Sequence, residues 1–352
     1  MQLTQILRRP ALLLSGLLLL GLMSACDGGS DAADKQDRIG NYVDRSQSYR
    51  DRGQYSAAII EARNAIKLDD SRLDSQLMLA RLYNDLGQGK LAAEQLAAFE
   101  GSNSPDYILA YSRALALQRK YRSLERLLEQ HSTAVAASPE LQLLQARAHA
   151  GLGNLARGRT LFKKLIETPD VGDAARLGLA RILLSENRAG EAVEQLDAIL
   201  EQNPEHVRAL TLKGQIAFAS NDLQQAEDYL SQALVAVPDT DILLPEKVLI
   251  IRNLITTLTR LGRSNEALVY SKLLADANPE AEALKTKYNE ALELFNQGKL
   301  DEAKALLLEV HDASSADSAG TLLGMIAYAQ GDYAAAEEYL SQHVDPEVAP
   351  AQ

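Results

Sequence analysis

Tryptophan is absent from this 352-residue chain, aromatic residues make up 5% of it, and there is one cysteine, Cys26. A single thiol excludes an intramolecular disulfide and any cysteine-based zinc site. Clusters of Val, Ile and Thr are scarce, which removes the usual material of a sheet. An excess of basic residues is also missing. Thirty-six Lys and Arg face 48 Asp and Glu, for a net charge of -12. That balance excludes a general nucleic-acid binder, which needs a basic face. No Gly-Lys-Ser/Thr phosphate loop and no nucleophile elbow occurs. The five histidines, His131, His149, His206, His311 and His343, show no metalloprotease spacing. Neither an enzyme, a cofactor nor a metal centre is expected.

What is present is leucine and alanine, both strong helix formers, within a hydrophobic fraction of 46%. One uncharged apolar run occupies residues 11–25, behind Arg8 and Arg9. As a helix it would span about 22 Å, short of the roughly 30 Å core of a bilayer. It reads as a signal peptide over residues 1–25. The run ends Leu22-Met23-Ser24-Ala25-Cys26, which resembles a bacterial lipobox. The resemblance implies cleavage before Cys26 and its lipidation; an ordinary signal peptide followed by a stray cysteine is the alternative. Residues 26–38 then read as a lipidated cysteine with a flexible, polar tether. The expected location is the bacterial cell envelope, lipid-anchored and facing the periplasm. Asp27 favours the inner membrane, and the outer membrane stays open.

The body of the chain is periodic. Gly53, Gly87, Gly153, Asn187 and Asn221 stand at intervals of 34, 66, 34 and 34 residues. Gly and Asn tolerate the left-handed backbone that ends a helix. Around them recur small residues (Ser46, Ala80, Ser112, Ala146, Ala180, Gly214) and a later alanine (Ala58, Ala92, Ala192, Ala226, Ala303, Ala336). Prolines such as Pro105, Pro139, Pro204, Pro238 and Pro279 fall between the resulting helical segments.

A period of 34 with these residues resembles the tetratricopeptide repeat. The resemblance implies an all-α solenoid, a right-handed superhelix of about nine helical hairpins whose stacking supplies the core. Six repeats fill 39–240, an insertion 241–247, three more repeats 248–345, and a tail 346–352. The motif Gly151-Leu-Gly153-Asn-Leu-Ala156 resembles a dinucleotide fingerprint, but a helical pattern precedes it where a strand is needed.

In this family the second, fifth, ninth, twelfth and thirteenth places of a repeat's first helix face the concave groove. Repeats two to five put Leu77, Leu109, Leu143 and Leu177 at the fifth place and Arg81, Arg113, Arg147 and Arg181 at the ninth. Residues four apart share a helical face. Two readings are open. The strip binds an extended anionic guest, an acidic peptide or an acidic polysaccharide, through the planar fork of arginine; or each arginine pairs with a neighbouring acid and covers apolar surface with its stem. In repeats eight and nine, Tyr288, Phe295, Met325 and Tyr328 hold comparable places, either as an apolar contact or as packing between repeats.

The implied function is a protein- or peptide-binding scaffold anchored to the membrane by lipid. The runs Ala57–Leu68 and Leu77–Gly87 resemble the lipoprotein of the PEP-CTERM and exosortase system. That resemblance implies service in exopolysaccharide production or surface-protein export. An outer-membrane or pilus/secretin assembly factor of pilotin type is the alternative, and an envelope enzyme a third.

Overall fold

The computed structural model describes residues 27–277, 279–313 and 317–341. Cys26, the signal peptide and the tail after Ser341 lie outside them. Every regular element among the described residues is helical, and the chain divides into two compact units between Ala114 and Leu115. The first unit holds α1 (Asp27–Asp51), α2 (Tyr55–Leu68), α3 (Leu73–Asp85), α4 (Gly89–Leu96) and most of α5 (Pro105–Leu117). The second runs through α6 (Tyr121–Gln130), α7 (Ser132–Ala137), α8 (Pro139–Gly151), α9 (Leu155–Leu165), α10 (Gly172–Ser185) and α11 (Ala189–Gln202). It continues with α12 (Val207–Ala219), α13 (Leu223–Ala236), α14 (Pro245–Arg260) and α15 (Ser264–Ala277). Its last elements are α16 (Pro279–Asn296), α17 (Leu300–Ala313), α18 (Asp317–Ala329) and α19 (Tyr333–Ser341). No helix among the described residues is long and apolar enough to cross a membrane.

The periodic residues are turn residues. Gly53, Gly87, Gly153, Asn187, Asn221, Gly262, Gly298 and Gly331 all take positive φ, between 60° and 83°. In each case the next residue's N–H donates to the carbonyl five residues back, as Gln54 to Tyr49 (2.9 Å), Asn154 to His149 (2.8 Å) and Asp332 to Ala327 (2.9 Å). This is the Schellman closure of a first helix. The long interval contains a ninth such turn. Arg119 has φ 58°, and Lys120 N–H donates to Leu115 at 3.0 Å. Arg119 stands 32 residues after Gly87 and 34 before Gly153, so the degenerate third repeat keeps the backbone of the others with a residue that does not advertise it. Two second helices are capped from the turn itself: the Asp222 and Asp332 carboxylates each accept a backbone N–H at 3.1 Å.

Close approach of helices explains the small residues. Ser46 is fully buried, and its hydroxyl donates to the Ala58 carbonyl at 2.7 Å. At the corresponding place Gly214 lies against Leu230, where a Cβ would fall 2.7 Å from Leu230 Cγ. Around these contacts the second unit buries Phe162, Leu196 and Ile199 in one cluster, Leu210, Leu230 and Leu254 in another, and Leu307, Leu323 and Ile326 in a third. Pro105, Pro139, Pro245 and Pro279 each open a helix, where the missing N–H has no partner to lose.

Two expectations change. Residues 27–38 are not a flexible tether but the first part of α1. Arg72 donates to Gln36 and Lys35 Nζ lies 3.7 Å from Asp69, so α1 is tied to the segment after α2 at these two residues. Of the insertion 241–247, residues 245–247 already form the first turn of α14, opened by Pro245.

Candidate partner-binding surface

Within the second unit two pairs of first helices touch one another as well as their own partners, α8 with α10 and α12 with α14, whereas α10 and α12 do not meet to that extent. No comparable contact joins the second helices α9, α11 and α13. At those two places the first-helix side is the tighter layer. In the first unit α1 and α3 are related in the same way.

The leucines expected on the groove surface belong largely to the packing. Leu77 and Leu177 are buried, and Leu109 and Leu143 are half-buried. Leu177 sits inside a core cluster and Leu143 packs against it. A buried leucine offers a guest little area, so the arginines carry what chemistry this face presents.

The four arginines differ. In the first unit Arg81 pairs with Asp106, an exposed acid at the start of α5. Arg113 is exposed and makes no ion pair among the described residues. In the second unit Arg147 is exposed and already engaged by a neighbouring group. Arg181 is exposed on α10 and forms no ion pair among the described residues. Burial is the main cause that pushes its guanidinium below the ordinary arginine range, and the like charge of Arg208 is the second. Tyr121 opposes both. Arginine keeps its charge there. The result is a cation beside a cation without a carboxylate of its own.

Reading the ninth place alone misses three further arginines on this layer. Arg208 occupies the second place of repeat six, and its Nε donates to Glu246 Oε1 at 3.0 Å. Arg252, at the fifth place of repeat seven, is exposed and makes no ion pair among the described residues. Arg260 lies 4.9 Å over the Phe218 ring and donates to Asn221 Oδ1 at 2.6 Å. The signal was available, because all five groove places share one helical stripe. On α14 the exposed residues Leu249, Arg252, Thr256, Thr259 and Arg260 trace it.

Repeats eight and nine divide by residue. Tyr288 and Phe295 are partly buried against the core and serve packing. Met325 and Tyr328 are 48% and 65% exposed, and Leu292 is exposed beside them in sequence place. The Tyr328 ring meets Tyr333 edge-on, with centroids 5.5 Å apart. No cluster of three or more metal-ligating side chains exists among the described residues.

A family model of the tetratricopeptide repeat matches residues 143–201, 177–240 and 288–349. Among solved structures, the chain is similar to a tetratricopeptide repeat protein from Parabacteroides merdae, with TM-score 0.54 and 16% identity over 62% of this chain and 84% of that one. It is also similar to the human IFIT1 dimer with m7Gppp-AAAA, with TM-score 0.50 and 12% identity over 88% and 90% of the two chains. The Cut9–Hcn1 hetero-tetramer of the APC/C overlays with TM-score 0.49 and 16% identity on 80% of this chain, which spans about half, 54%, of that one. No curated protein matches the sequence. At these identities the structural likeness speaks for the fold alone.

Proposed function

We propose that this chain, built of tetratricopeptide repeats, is a lipid-anchored scaffold facing the periplasm, and that the first-helix layer of its second unit holds an anionic segment of a partner protein. Arg181 carries the reading. It is exposed, without an acid of its own, and set beside Arg208. A carboxylate placed between two guanidinium groups would relieve their repulsion and make paired, charge-assisted hydrogen bonds. The rest of the chain adds contrast, because a molecule of net charge -12 as a whole repels an anionic partner, so that local cations must draw it in. Cys26 at the end of a short apolar run supports the anchor, and several acyl chains on it would hold far more firmly than one. Asp27 favours the inner membrane, and the resemblance of Ala57–Leu68 and Leu77–Gly87 to the exosortase-system lipoprotein supports service in exopolysaccharide production or surface-protein export.

The test is crosslinking in intact cells. The double variant Arg181→Gln with Arg252→Gln should lose captured partner by about tenfold or more, as expected for charged contacts of 1.5–3 kcal/mol. Arg81→Gln, whose cation is already paired with Asp106, serves as the control. Equal capture by all three proteins refutes the strip. Fatty-acid labelling that survives Cys26→Ser refutes the anchor.

A further inference from the structure

We infer that the guest has two chemically distinct parts: an acidic stretch on Arg181 and Arg252, and close to it an aromatic or large aliphatic segment seated on Leu292, Met325 and Tyr328. This rests on the reading above and extends it to the class of guest. Leu292 and Met325 occupy the ninth place of repeats eight and nine, the place that Arg181 holds in repeat five. Between α14 and α16 the same stripe thus changes from guanidinium to apolar. Leu292 is 36% exposed, Met325 48% and Tyr328 65%, and Tyr333 at 66% extends the surface through its ring contact with Tyr328. Exposed Met and Tyr gathered at one place are the composition of a contact surface and not of an idle one.

Charge agrees with the order of the two parts. The second, fifth, ninth and twelfth places of repeats eight and nine contain no acid (Lys285 and Ser318 stand at the second), so an acidic guest is not repelled as it passes. The apolar portion also decides between classes of guest. A polymer of sugar acids has carboxylates for the arginines but offers Met325 and Tyr328 only the C–H faces of its rings, whereas a peptide offers large aliphatic and aromatic side chains. Neighbouring hairpins lie on the order of 10 Å apart, and an extended peptide advances about 3.3–3.6 Å per residue. From the hairpin of Arg252 to those of Leu292 and Met325 is one and two steps. The apolar anchors of the guest therefore fall within roughly three to six residues of its last acid.

Fluorescence anisotropy on the full chain tests this with three labelled peptides of equal length: an acidic run in a Gly-Ser background, and the same run with a Leu-Phe pair on one or the other side. At least one two-part peptide should bind about tenfold more tightly than the acidic run, the gain from burying one large apolar side chain. Met325→Ser with Tyr328→Ser should erase that gain and leave the acidic run unchanged, while Arg181→Gln weakens all three. Both substituted side chains are exposed, and unchanged helical circular dichroism establishes that the variant is folded. Equal affinity for the three peptides, still lowered by Arg181→Gln, overturns the inference and leaves the arginine strip standing. Absence of any arginine-dependent binding removes the strip itself. Tighter binding of an oligouronate than of every peptide, or sedimentation showing self-association that Met325→Ser dissolves, also overturns it, the first in favour of a polysaccharide guest and the second in favour of a second copy.

Discussion

Replacing Arg119 by glycine should stabilise the protein, although it deletes a charged side chain and adds no contact. Arg119 sits at φ 58° in the turn between α5 and α6. A side chain with a Cβ gives up about 1–2 kcal/mol in that left-handed region. Glycine is free of the strain but loses more backbone entropy on folding, about 0.5–1 kcal/mol. The difference leaves a net gain of about 0.5–1 kcal/mol. Nothing else changes, because the closing bonds run through the backbone and the side chain is exposed. Two companions calibrate the value. Asn187→Gly should move stability little, since asparagine visits this conformation readily. Gly153→Ala should lose about as much as Arg119→Gly gains. At Gly153 φ is 83° and no atom lies within 4 Å of an added Cβ, so its loss is conformational and not steric. In urea, with slopes of about 1–3 kcal/mol per molar, Arg119→Gly should raise the midpoint by roughly 0.2–1 M at constant slope. A lowered midpoint, or a Gly153→Ala protein as stable as the parent, refutes the reasoning.

Gly214→Ala should destabilise by about 1–3 kcal/mol, because the new methyl meets a fully buried Leu230 that has no room to turn away; a melting temperature equal to the parent's would contradict this packing. Stability should also fall on the acid side through Asp74, whose carboxyl is held below its ordinary range chiefly by its hydrogen bonds from Arg72. A depressed folded pKa contributes stability that is present above the unfolded carboxylate pKa of about 3.9 and is lost as pH falls through the folded value. Thermal melts between pH 2 and 6 should therefore show a shallower acid limb for Asp74→Asn, and superimposable limbs would remove the pair from the account.

How much of this was legible depends on what each residue had to do. Turn positions were readable wherever glycine or asparagine filled them, because the left-handed backbone restricts the choice. Arg119 hid the third turn, since the helices on either side impose its conformation against its own preference. The start of α1 was unreadable for a related reason. A polar segment with Gly28 and Gly29 has no strong local preference, and the contacts of Gln36 and Lys35 with Arg72 and Asp69 are not visible in the local sequence. Leu177 and Arg181 were placed together on one helical face by their spacing, yet spacing does not separate the side chain that packs from the one that reaches solvent. The alternation of eighth-place small residues with buried alanines such as Ala192 and Ala226 was readable because close helix approach admits little else.

For Arg81 and Arg181 the residue met by the ninth-place arginine comes from the following repeat. Arg81 stands at the ninth place of repeat two and finds Asp106 at the second place of repeat three. Arg181 stands at the ninth place of repeat five, and the second place of repeat six supplies Arg208 in its stead. One residue, read one repeat later, thus replaces the acid beside the ninth-place arginine with a second cation, itself paired with Glu246. The double variant Arg208→Asp with Glu246→Gln copies the first arrangement onto the second, the glutamine removing the acid that Arg208 now engages at 3.0 Å. Exposed pairs of this kind contribute only about 0–1 kcal/mol, so the melting temperature should hardly move. Capture of an acidic guest should fall further than in Arg208→Gln with Glu246→Gln, because the strip then gains an internal competitor and does not merely lose a cation. If the aspartate and glutamine versions bind the guest equally, Arg181 and the second place of repeat six are not neighbours in the working protein, and the electrostatic account of the groove fails with them.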